Sequence, residues 1–437
     1  MNTTLPEPDA AARAHSEKVA AHVRSLLDAN GGWLSLHDYM QAVLYAPGLG
    51  YYMAGTRKFG DGGDFVTSSE LTPLYAQTWA APISAALAQA RSFFFHPPCV
   101  GENADKPPPA FGGHSLSKGG EAGEQKNESP PLQGEGWGGE GVSVSPPSSF
   151  PQGERGYVSS LLELGGGSGA FAAQLLRQLQ VMDCLPDRYA ILELSPTLRE
   201  RQRQALCDAV PDLLSRVEWW ERLPDTFQGV VFMNEVLDAI PPRVVARVGE
   251  AWYEHGVKFD GHRFAASLQP LTDPALLALA SLRFPARGDY VAELNISGEA
   301  LFETLGKCLT PGSTLFVNDY GFERSETLPT QYTGGTLRAY YRHHVLADPL
   351  LWPGLLDITY HVDFVAMAEA AQRGGLALMS FQTQREFLQE HGILDGLARS
   401  GAPEGAAYLS AAQAVRTLID PEAMGGIFKV AEFRRQG

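Results

Sequence analysis

A glycine-rich segment, LLELGGGSGAFAAQLL, lies between an apolar run and an amphipathic run near the middle of the chain. It places Gly165, Gly167 and Gly169 at the junction of a predicted strand and a predicted helix. Glycines at such a junction let the backbone turn sharply and let a ligand approach the main chain, while the helix N-terminus offers unpaired N–H groups. The segment therefore predicts a site for a small polar ligand.

Acidic residues near this turn indicate which ligand it binds. Gly165, Gly167 and Ala170 loosely match the G-x-G-x-x-A pattern of dinucleotide sites. Glu163, however, would repel a pyrophosphate and attract the ammonium and sulfonium groups of S-adenosylmethionine. Glu193 ends the next predicted strand, where a carboxylate accepts hydrogen bonds from ribose hydroxyls in either kind of site. We therefore predict S-adenosyl-L-methionine as the cofactor, with a nicotinamide dinucleotide as the alternative.

The elements around the turn alternate between strand and helix. VSSLLEL, RYAILEL and GVVFMNE have the pattern of buried strands, and GAFAAQLLRQL and PTLRERQRQAL have that of helices. STLFVNDYG predicts a further buried strand, and LALMSFQT with GIFKVAEF predicts a terminal pair of strands. This alternation indicates an α/β fold with a doubly wound, mainly parallel sheet covered on both faces. Between Arg243 and Leu268, short hydrophobic bursts around two glycines indicate an antiparallel excursion outside that sheet.

The chain before and after the predicted sheet differs in composition. The N-terminal part has helical spacing interrupted at Asn30-Gly31-Gly32, and its second helix ends at Pro47-Gly48. Ser92 to Gly156 holds ten of the 30 prolines and thirteen of the 46 glycines, too little apolar surface for a packed core. We predict an N-terminal helical segment over 1–91, a disordered low-complexity insertion over 92–156, and a cofactor-binding domain over 157–437 with insertions at about 243–290 and 322–375.

Four stretches together resemble a known family. They are GYYMAGTRKFGDGGDFVTSSELTPLYA, LLELGGGSGAFAAQLL, FMNEVLDAIPPRVV and GGTLRAYYRHHVLADPLLWPGLLDITYHVDF. They resemble the MidA-like class I S-adenosylmethionine-dependent methyltransferases, whose mitochondrial members are protein-arginine methyltransferases that serve respiratory complex I assembly. The resemblance spans nearly the whole chain apart from the insertion. It implies a Rossmann-like methyltransferase fold with an N-terminal helical lobe, inserted substrate-recognition elements and a protein substrate that contains arginine.

The segment NEVLDAIP carries three polar residues directly after a predicted strand. In a doubly wound sheet the carboxyl end of that strand faces the ligand crevice, so Asn234 would contact the cofactor. A protonated guanidinium requires carboxylates that hold its planar fork. Glu235 and Asp238, three residues apart on the first turn of a helix, would supply them. Alternatively, Asn234 caps that helix, Glu235 interacts with its dipole and Asp238 is solvated.

Two further segments hold candidate site residues. In GDFVTSSE, Asp64 and Thr67 would contact the amino-acid end of the cofactor or the substrate, or Thr67 would only cap the helix that follows. In DITYHVDF, His361 and Asp363 alternate, so a catalytic pair is conceivable, although a histidine bonded to a neighbouring backbone is the commoner case. With no further His or Cys at ligand spacing, we predict no metal site.

Composition excludes several other classes of protein. The net charge of -16, without a cluster of Lys and Arg, argues against a nucleic-acid-binding surface. No apolar run approaches the roughly 20 residues of a membrane span, and the first residues do not resemble a signal peptide. Four scattered cysteines indicate free thiols, and we expect a cytoplasmic protein. The sequence thus predicts an S-adenosylmethionine-dependent protein-arginine methyltransferase, with a non-enzymatic assembly factor and a nicotinamide-dependent oxidoreductase as alternatives.

Overall fold

The computed structural model describes residues 5–54, 67–95, 158–323 and 333–436. The N-terminal part is mostly helical, with one short strand, and each cap follows from the sequence. The Asp9 carboxylate accepts a hydrogen bond from the Ala12 amide at 2.9 Å and begins the first helix. Ser35 does the same for Asp38 at 3.0 Å in the second. The elements are α1 (Ala10–Ala29), β1 (Leu34–Ser35), α2 (Leu36–Tyr45), α3 (Ser68–Leu71) and α4 (Pro73–Phe95).

The predicted alternation of strand and helix follows. The elements are β2 (Ser160–Leu164), α5 (Ala170–Val181), β3 (Arg188–Leu192), α6 (Pro196–Ala209), a 3₁₀ helix (Pro211–Arg216), β4 (Val217–Trp220) and β5 (Val230–Asn234). Every residue of β2 is buried, as expected for a strand covered on both faces. β4 is the one strand of this group that the sequence analysis did not identify, because its residues VEWW do not form a buried run.

The antiparallel excursion predicted after Arg243 is present and is larger than expected. It contains β6 (Arg243–Val248), β7 (Ala251–Phe259), β8 (Phe264–Pro270), α7 (Pro274–Arg283) and β9 (Tyr290–Leu294). β1 of the N-terminal part pairs with β7, so one sheet has the order β1-β7-β6-β9, with β8 beside β7. The N-terminal segment is therefore joined to this sheet by backbone hydrogen bonds.

The remaining elements complete the main sheet and add a small one. They are α8 (Ile296–Cys308), β10 (Thr314–Phe322), β11 (Arg338–Tyr341), β12 (His344–Leu346), β13 (Asp357–Thr359), β14 (Val362–Asp363), α9 (Phe364–Gly374), β15 (Leu376–Thr383), α10 (Gln384–Glu390), α11 (Ile393–Ala398), α12 (Ala406–Ile419), α13 (Met424–Ile427) and β16 (Phe428–Arg435). The order β12-β11-β13 forms the small antiparallel sheet. β15 and β16 are the predicted terminal pair.

The main sheet has the order β15-β16-β10-β5-β2-β3-β4, and β14 pairs with the end of β10. The strands from β10 to β4 are parallel, and β15 and β16 are antiparallel. The chain builds outward from β2 through β3 to β4 and then returns to place β5 on the other side of β2. Ligands bind at such a reversal, at the carboxyl ends of the two central strands. The doubly wound, mainly parallel sheet is confirmed.

Helix α4 belongs to the core of the sheet and is not part of a separate lobe. Trp79 is fully buried, and its ring lies 4.8 Å from that of Phe232, 5.7 Å from Phe316 and 4.2 Å from Phe387. The helix ends at Phe95, so the first four residues of the predicted insertion are helical, and residues 96–156 lie outside the described residues. None of the described helices is both long and apolar enough to span a bilayer.

Candidate active site

The turn between β2 and α5 has the conformation that its glycines allow. Gly165, Gly167 and Gly169 have φ angles of 68°, 51° and 85°, in the left-handed region that side chains disfavour. Gly165 is exposed, and a Cβ atom there would lie 3.0 Å from Val236 Cγ2, in the turn after β5. The glycine turn and the segment NEVLDAIP therefore face each other across the crevice, as the sequence analysis predicted.

Glu163 lies beneath this turn, near the end of β2. Its side chain is buried and accepts a hydrogen bond from the Tyr189 hydroxyl at 2.8 Å. Burial raises the pKa of Glu163 to about 7, although the Tyr189 hydrogen bond lowers it. A cation bound above the turn would favour the ionised form. The position thus fits the predicted role of Glu163 towards a cationic ligand.

Glu193 follows β3 and is held by a polar residue on α6. Its Oε1 atom accepts from the Ser195 amide at 2.9 Å, and its Oε2 atom accepts from Gln202 Nε2 at 3.1 Å. The same Gln202 nitrogen lies 3.1 Å from the Gly167 carbonyl, and Gln202 Oε1 accepts from Trp219 Nε1 at 3.0 Å. Gln202 is fully buried and joins the glycine turn, β3 and β4 at one point. It fixes the carboxylate that we predict to bind the ribose.

Asn234 and Glu235 connect the end of β5 to the N-terminal segment. Asn234 Oδ1 accepts from the Tyr75 hydroxyl at 2.5 Å, and its amide nitrogen donates to Glu235 Oε1 at 2.9 Å. Glu235 Oε1 also accepts from the Ser68 amide at 3.2 Å, at the start of α3. Burial raises the pKa of Glu235 to about 6. The two side chains thus bind α3 and α4 as well as facing the crevice.

The helix that the sequence predicted after Asn234 is absent, which corrects the predicted relation between Glu235 and Asp238. Residues 235–240 form a turn, and Glu235 has a φ of 54°, in the left-handed region. Asp319 causes this shape, because its Oδ2 atom accepts from the backbone amides of Val236 and Leu237 at 3.1 and 2.9 Å, and from that of Asp238 at 3.4 Å. Glu235 is therefore directed to α3, while Asp238 interacts with residues on β10.

Asp238 is buried, and two tyrosines lie close to it. Its Oδ2 atom accepts from the Tyr320 hydroxyl, whereas its Oδ1 atom is buried and has no hydrogen-bond partner among the described residues. The ring of Tyr45 lies nearby, since its hydroxyl donates to the Ala239 carbonyl at 2.9 Å. Burial raises the pKa of Asp238 well above its ordinary value, and the charges of Asp319 and Asp357 raise it further. Carboxyl and aromatic groups thus lie together here, and a bound cation would favour the ionised form of Asp238.

His361 lies beside Tyr320, the tyrosine that donates to Asp238, and packs against aromatic rings. Its ring packs edge-on against Tyr320 at 5.6 Å and lies 6.1 Å from the ring of Phe322. Burial, with the charges of Arg338 and Lys429, lowers the pKa of His361 to about 4. Asp363, its predicted partner, accepts from the Ala366 amide at 3.0 Å and caps α9. A catalytic role for His361 stays a prediction.

The remaining candidate residues lie at or beyond the edge of the described structure. Asp64 lies outside the described residues. Thr67 precedes α3, and its amide donates to Glu70 Oε2 at 3.4 Å within a capping box, which was the alternative interpretation of this segment. Where the chain is described, no group of three or more His, Cys, Asp or Glu side chains could hold a metal ion.

Sequence reasoning missed Gln202, Asp319 and Asp357. Gln202 carried a signal, since it occupies the position between Leu198 and Leu206 on the apolar face of α6. A polar residue in such a row is buried and needs hydrogen-bond partners. Asp319 follows the buried strand residue Asn318 in the same way that Glu235 follows Asn234. This similarity between the two strands could have been recognised in the sequence.

A comparison with solved structures supports the cofactor. The chain is 35% identical to a Burkholderia thailandensis protein whose crystal structure contains S-adenosyl-homocysteine, with a TM-score of 0.79 over 99% of this chain and 95% of that one. The native form of a protein from the same organism gives a TM-score of 0.77 at the same identity and coverage. The glycine turn and the buried Glu163 fit S-adenosyl-L-methionine, which is thus the cofactor. The nicotinamide alternative is set aside.

Comparisons of sequence give the family. A family model described as "Putative S-adenosyl-L-methionine-dependent methyltransferase" matches residues 151–382, more than half of the chain. Mouse "Protein arginine methyltransferase NDUFAF7, mitochondrial" is 24% identical over 410 residues, which cover 87% of this chain and 76% of the mouse protein. The fruit fly homologue is 24% identical over 98% of this chain and 88% of its own. The chain belongs to the MidA-like class I S-adenosyl-L-methionine-dependent methyltransferases.

Proposed function

We propose that this methyltransferase transfers its methyl group to an arginine side chain of a protein. The observation that carries the proposal is the buried Oδ1 atom of Asp238, which has no partner among the described residues. A buried carboxylate oxygen without a donor is costly unless a ligand supplies one. A guanidinium N–H bound to this oxygen would supply both the donor and the positive charge.

The tyrosines near Asp238 support a cationic acceptor. Tyr45 and Tyr320 are half-buried; the Tyr320 hydroxyl donates to Asp238, and the Tyr45 hydroxyl donates to the carbonyl of the next residue, Ala239. Aromatic rings attract cations through their faces, and planar guanidinium groups stack on them well. The Asp238 carboxylate would hold the guanidinium and keep its charge away from the attacking nitrogen. Relatives described as protein arginine methyltransferases are consistent with this acceptor.

The position of Asp238 also suits the geometry of the reaction. S-adenosyl-L-methionine supplies an activated methyl group on a sulfonium. The arginine nitrogen would bond to the methyl carbon as the carbon–sulfur bond breaks, S-adenosyl-homocysteine would leave with the electron pair of that bond, and the proton lost by the nitrogen would pass to solvent. Such displacements require the attacking atom in line with the leaving sulfur, so positioning and electrostatics are the main contributions of the enzyme. Asp238 lies in the turn that follows β5, and Val236 of the same turn adjoins Gly165, which supports a role for Asp238 in orienting the acceptor.

Methyl incorporation into lysate proteins tests the proposal. The protein is incubated with a tritiated donor, the labelled proteins are hydrolysed to amino acids, and methylarginine is separated from other methylated residues. We expect methylarginine with the native protein and a loss of at least about a hundredfold with Asp238→Asn, at unchanged affinity for S-adenosyl-homocysteine. Asp208→Asn, at an exposed position on α6, is the matched control. Label in another residue type would overturn the arginine proposal, and no label with any protein would favour an assembly factor.

We also keep a cytoplasmic location as a proposal. It rests on the sequence features given above, while the curated relatives carry the description mitochondrial. Fractionation of the native cells, followed by detection of the protein in each fraction, tests it.

A further inference from the structure

We propose that Asp357 is the second carboxylate of the acceptor site, so that a guanidinium is held between Asp238 and Asp357. This inference rests on the proposed arginine acceptor and replaces Glu235 as the partner of Asp238. It assigns a substrate-binding role to the small sheet β12-β11-β13 and to the N-terminal segment that contacts it.

Two tyrosines whose rings contact each other at a tilt lie near the two carboxylates. The Tyr45 hydroxyl donates to the Ala239 carbonyl, one residue after Asp238, at 2.9 Å. The Tyr45 ring lies 5.4 Å from the ring of Tyr52, and the Tyr52 hydroxyl donates to Asp357 Oδ1 at 2.5 Å. Each carboxylate therefore adjoins one ring of the same aromatic pair. A flat cation between the carboxylates would lie against these rings.

The register of the small sheet places Asp357 on the same face as Tyr340, whose pKa is raised by burial and by the charges of Asp357 and Asp238. Asp357 on β13 is directly opposite Tyr340 on β11, so their side chains share one face of the sheet. The side chains of the next pair, Ile358 and Ala339, lie on the opposite face and are buried in the core that the small sheet shares with the N-terminal segment. Tyr340 is half-buried, whereas Asp357 is 4% exposed. On this face of the sheet the Asp357 carboxyl is therefore buried, and the Tyr340 ring lies nearer the solvent.

Glu235 does not have this arrangement. Its carboxylate receives hydrogen bonds from the Ser68 amide and the Asn234 side chain, which hold it at the start of α3. In addition to burial and the charge of Asp319, the charge of Asp357 raises the pKa of Asp238, and it does so more than the charge of Glu235. The charge of Asp357 also raises the pKa of Tyr320, whose hydroxyl bonds Asp238. Buried carboxylates at such a distance repel each other unless a cation or a proton lies between them.

The pair also accounts for selection of arginine over lysine. A guanidinium is planar and carries five N–H donors, so it can bind two carboxylates at once and stack on tyrosine rings. An ammonium is a compact, strongly hydrated charge that would reach only one of the two carboxylates. The acceptor would then form fewer bonds in the site, which disfavours lysine.

Two substitutions test the inference in the full-length protein. Asp357→Asn keeps the shape of the side chain and removes its charge, and Tyr52→Phe removes only the hydroxyl that positions Asp357. The rate of methylarginine formation is measured at low and high concentrations of lysate protein, and affinity for S-adenosyl-homocysteine is measured by calorimetry. Asp208→Asn and Tyr253→Phe, on α6 and β7, are the matched controls.

We expect Asp357→Asn to lower methylarginine formation by about tenfold or more, with unchanged affinity for S-adenosyl-homocysteine. Tyr52→Phe should lower the rate at low lysate concentration by about threefold and recover at high concentration, as expected for weakened binding of the acceptor. If Asp357→Asn proves less stable to heat, the Tyr52→Phe result decides. Native-like rates in Tyr52→Phe and in folded Asp357→Asn would overturn the inference, whereas absence of methylarginine with the native protein would overturn the proposed function itself.

Discussion

The Asp319 carboxylate accepts a hydrogen bond from the Leu237 amide at 2.9 Å, so a residue of β10 fixes the turn that follows β5. The same oxygen accepts from the amides on either side of Leu237, at 3.1 and 3.4 Å. The other oxygen accepts from the Tyr320 amide at 2.9 Å. Burial and the charge of Glu235 raise the pKa of Asp319 to about 8, whereas these amides lower it. One side chain thus determines where Asp238 lies.

Replacement of Asp319 should therefore affect both stability and activity. Asp319→Ala removes the side-chain acceptor of four amides, each costing about 1–3 kcal/mol where it is buried. We expect the free energy of unfolding in urea to fall by about 3 kcal/mol or more, and methylation to fall with it. Asp273→Ala removes two comparable hydrogen bonds at the exposed start of α7 and should cost about 1 kcal/mol without loss of activity. Equal effects of the two substitutions would contradict the role of Asp319.

Gly165 should tolerate no side chain. Gly165→Ala places a Cβ atom 3.0 Å from Val236 Cγ2 in a left-handed backbone conformation, which costs about 1–2 kcal/mol for a residue with a side chain. We expect affinity for S-adenosyl-homocysteine, measured by calorimetry, to fall by about tenfold or more. Gly249→Ala has a similar φ of 61° and nothing within 4 Å, so it shares the strain and should keep native affinity. Unchanged affinity in Gly165→Ala would place the ligand elsewhere.

Cofactor binding should depend on pH through Glu163. Its pKa of about 7 in the unliganded protein means that the carboxyl is largely protonated below pH 7 and ionised above it. A ligand with a cationic group, such as the ammonium of S-adenosyl-homocysteine, prefers the ionised form of Glu163. Binding below pH 7 therefore releases a proton, and affinity rises with pH by at most about tenfold per unit. Titrations with S-adenosyl-homocysteine between pH 5.5 and 8.5 should show this rise and a plateau. Glu163→Gln should bind weakly at every pH, and retention of the same slope in that variant would assign it to another group.

The predicted catalytic role of His361 can be separated from a packing role. Because the pKa of His361 is lowered to about 4, the imidazole is neutral throughout the range in which activity is measured. We expect His361→Asn to lower the methylation rate by about tenfold through loss of the contact with Tyr320, with an unchanged pH profile between 5.5 and 8. A loss of about a hundredfold or more at unchanged stability would instead indicate that His361 accepts the proton.

The positions of the proposed cofactor residues were predictable because the signals that mark them are local. Gly165, Gly167 and Glu163 lie within five residues, and the strand and helix patterns on either side fix their place at the end of β2. Glu193 ends the strand that directly follows in the chain and pairs with β2. Hydrophobic periodicity and turn residues are signals between positions close together in the chain, so the sequence is sufficient to locate these residues.

The residues of the proposed acceptor site were not predictable in the same way. Tyr52 and Asp357 are 305 positions apart and meet only because β1 pairs with β7 and the N-terminal segment packs on the small sheet. The prediction that Glu235 and Asp238 share a helical face was based only on their spacing of three residues. Asp319 overrides that spacing, since its carboxylate takes the amides of residues 236–238 that a helix would otherwise use.

The position of Trp79 has a practical consequence for work on related proteins. The region by which the family is recognised, residues 151–382, includes neither α4 nor β16. Trp79 nevertheless packs against the rings of Phe232 and Phe316, and β16 lies between β10 and β15 in the sheet. A truncated protein limited to the recognised region would expose one face of the sheet and separate its outermost strand. Expression vectors for this family should therefore encode both flanks.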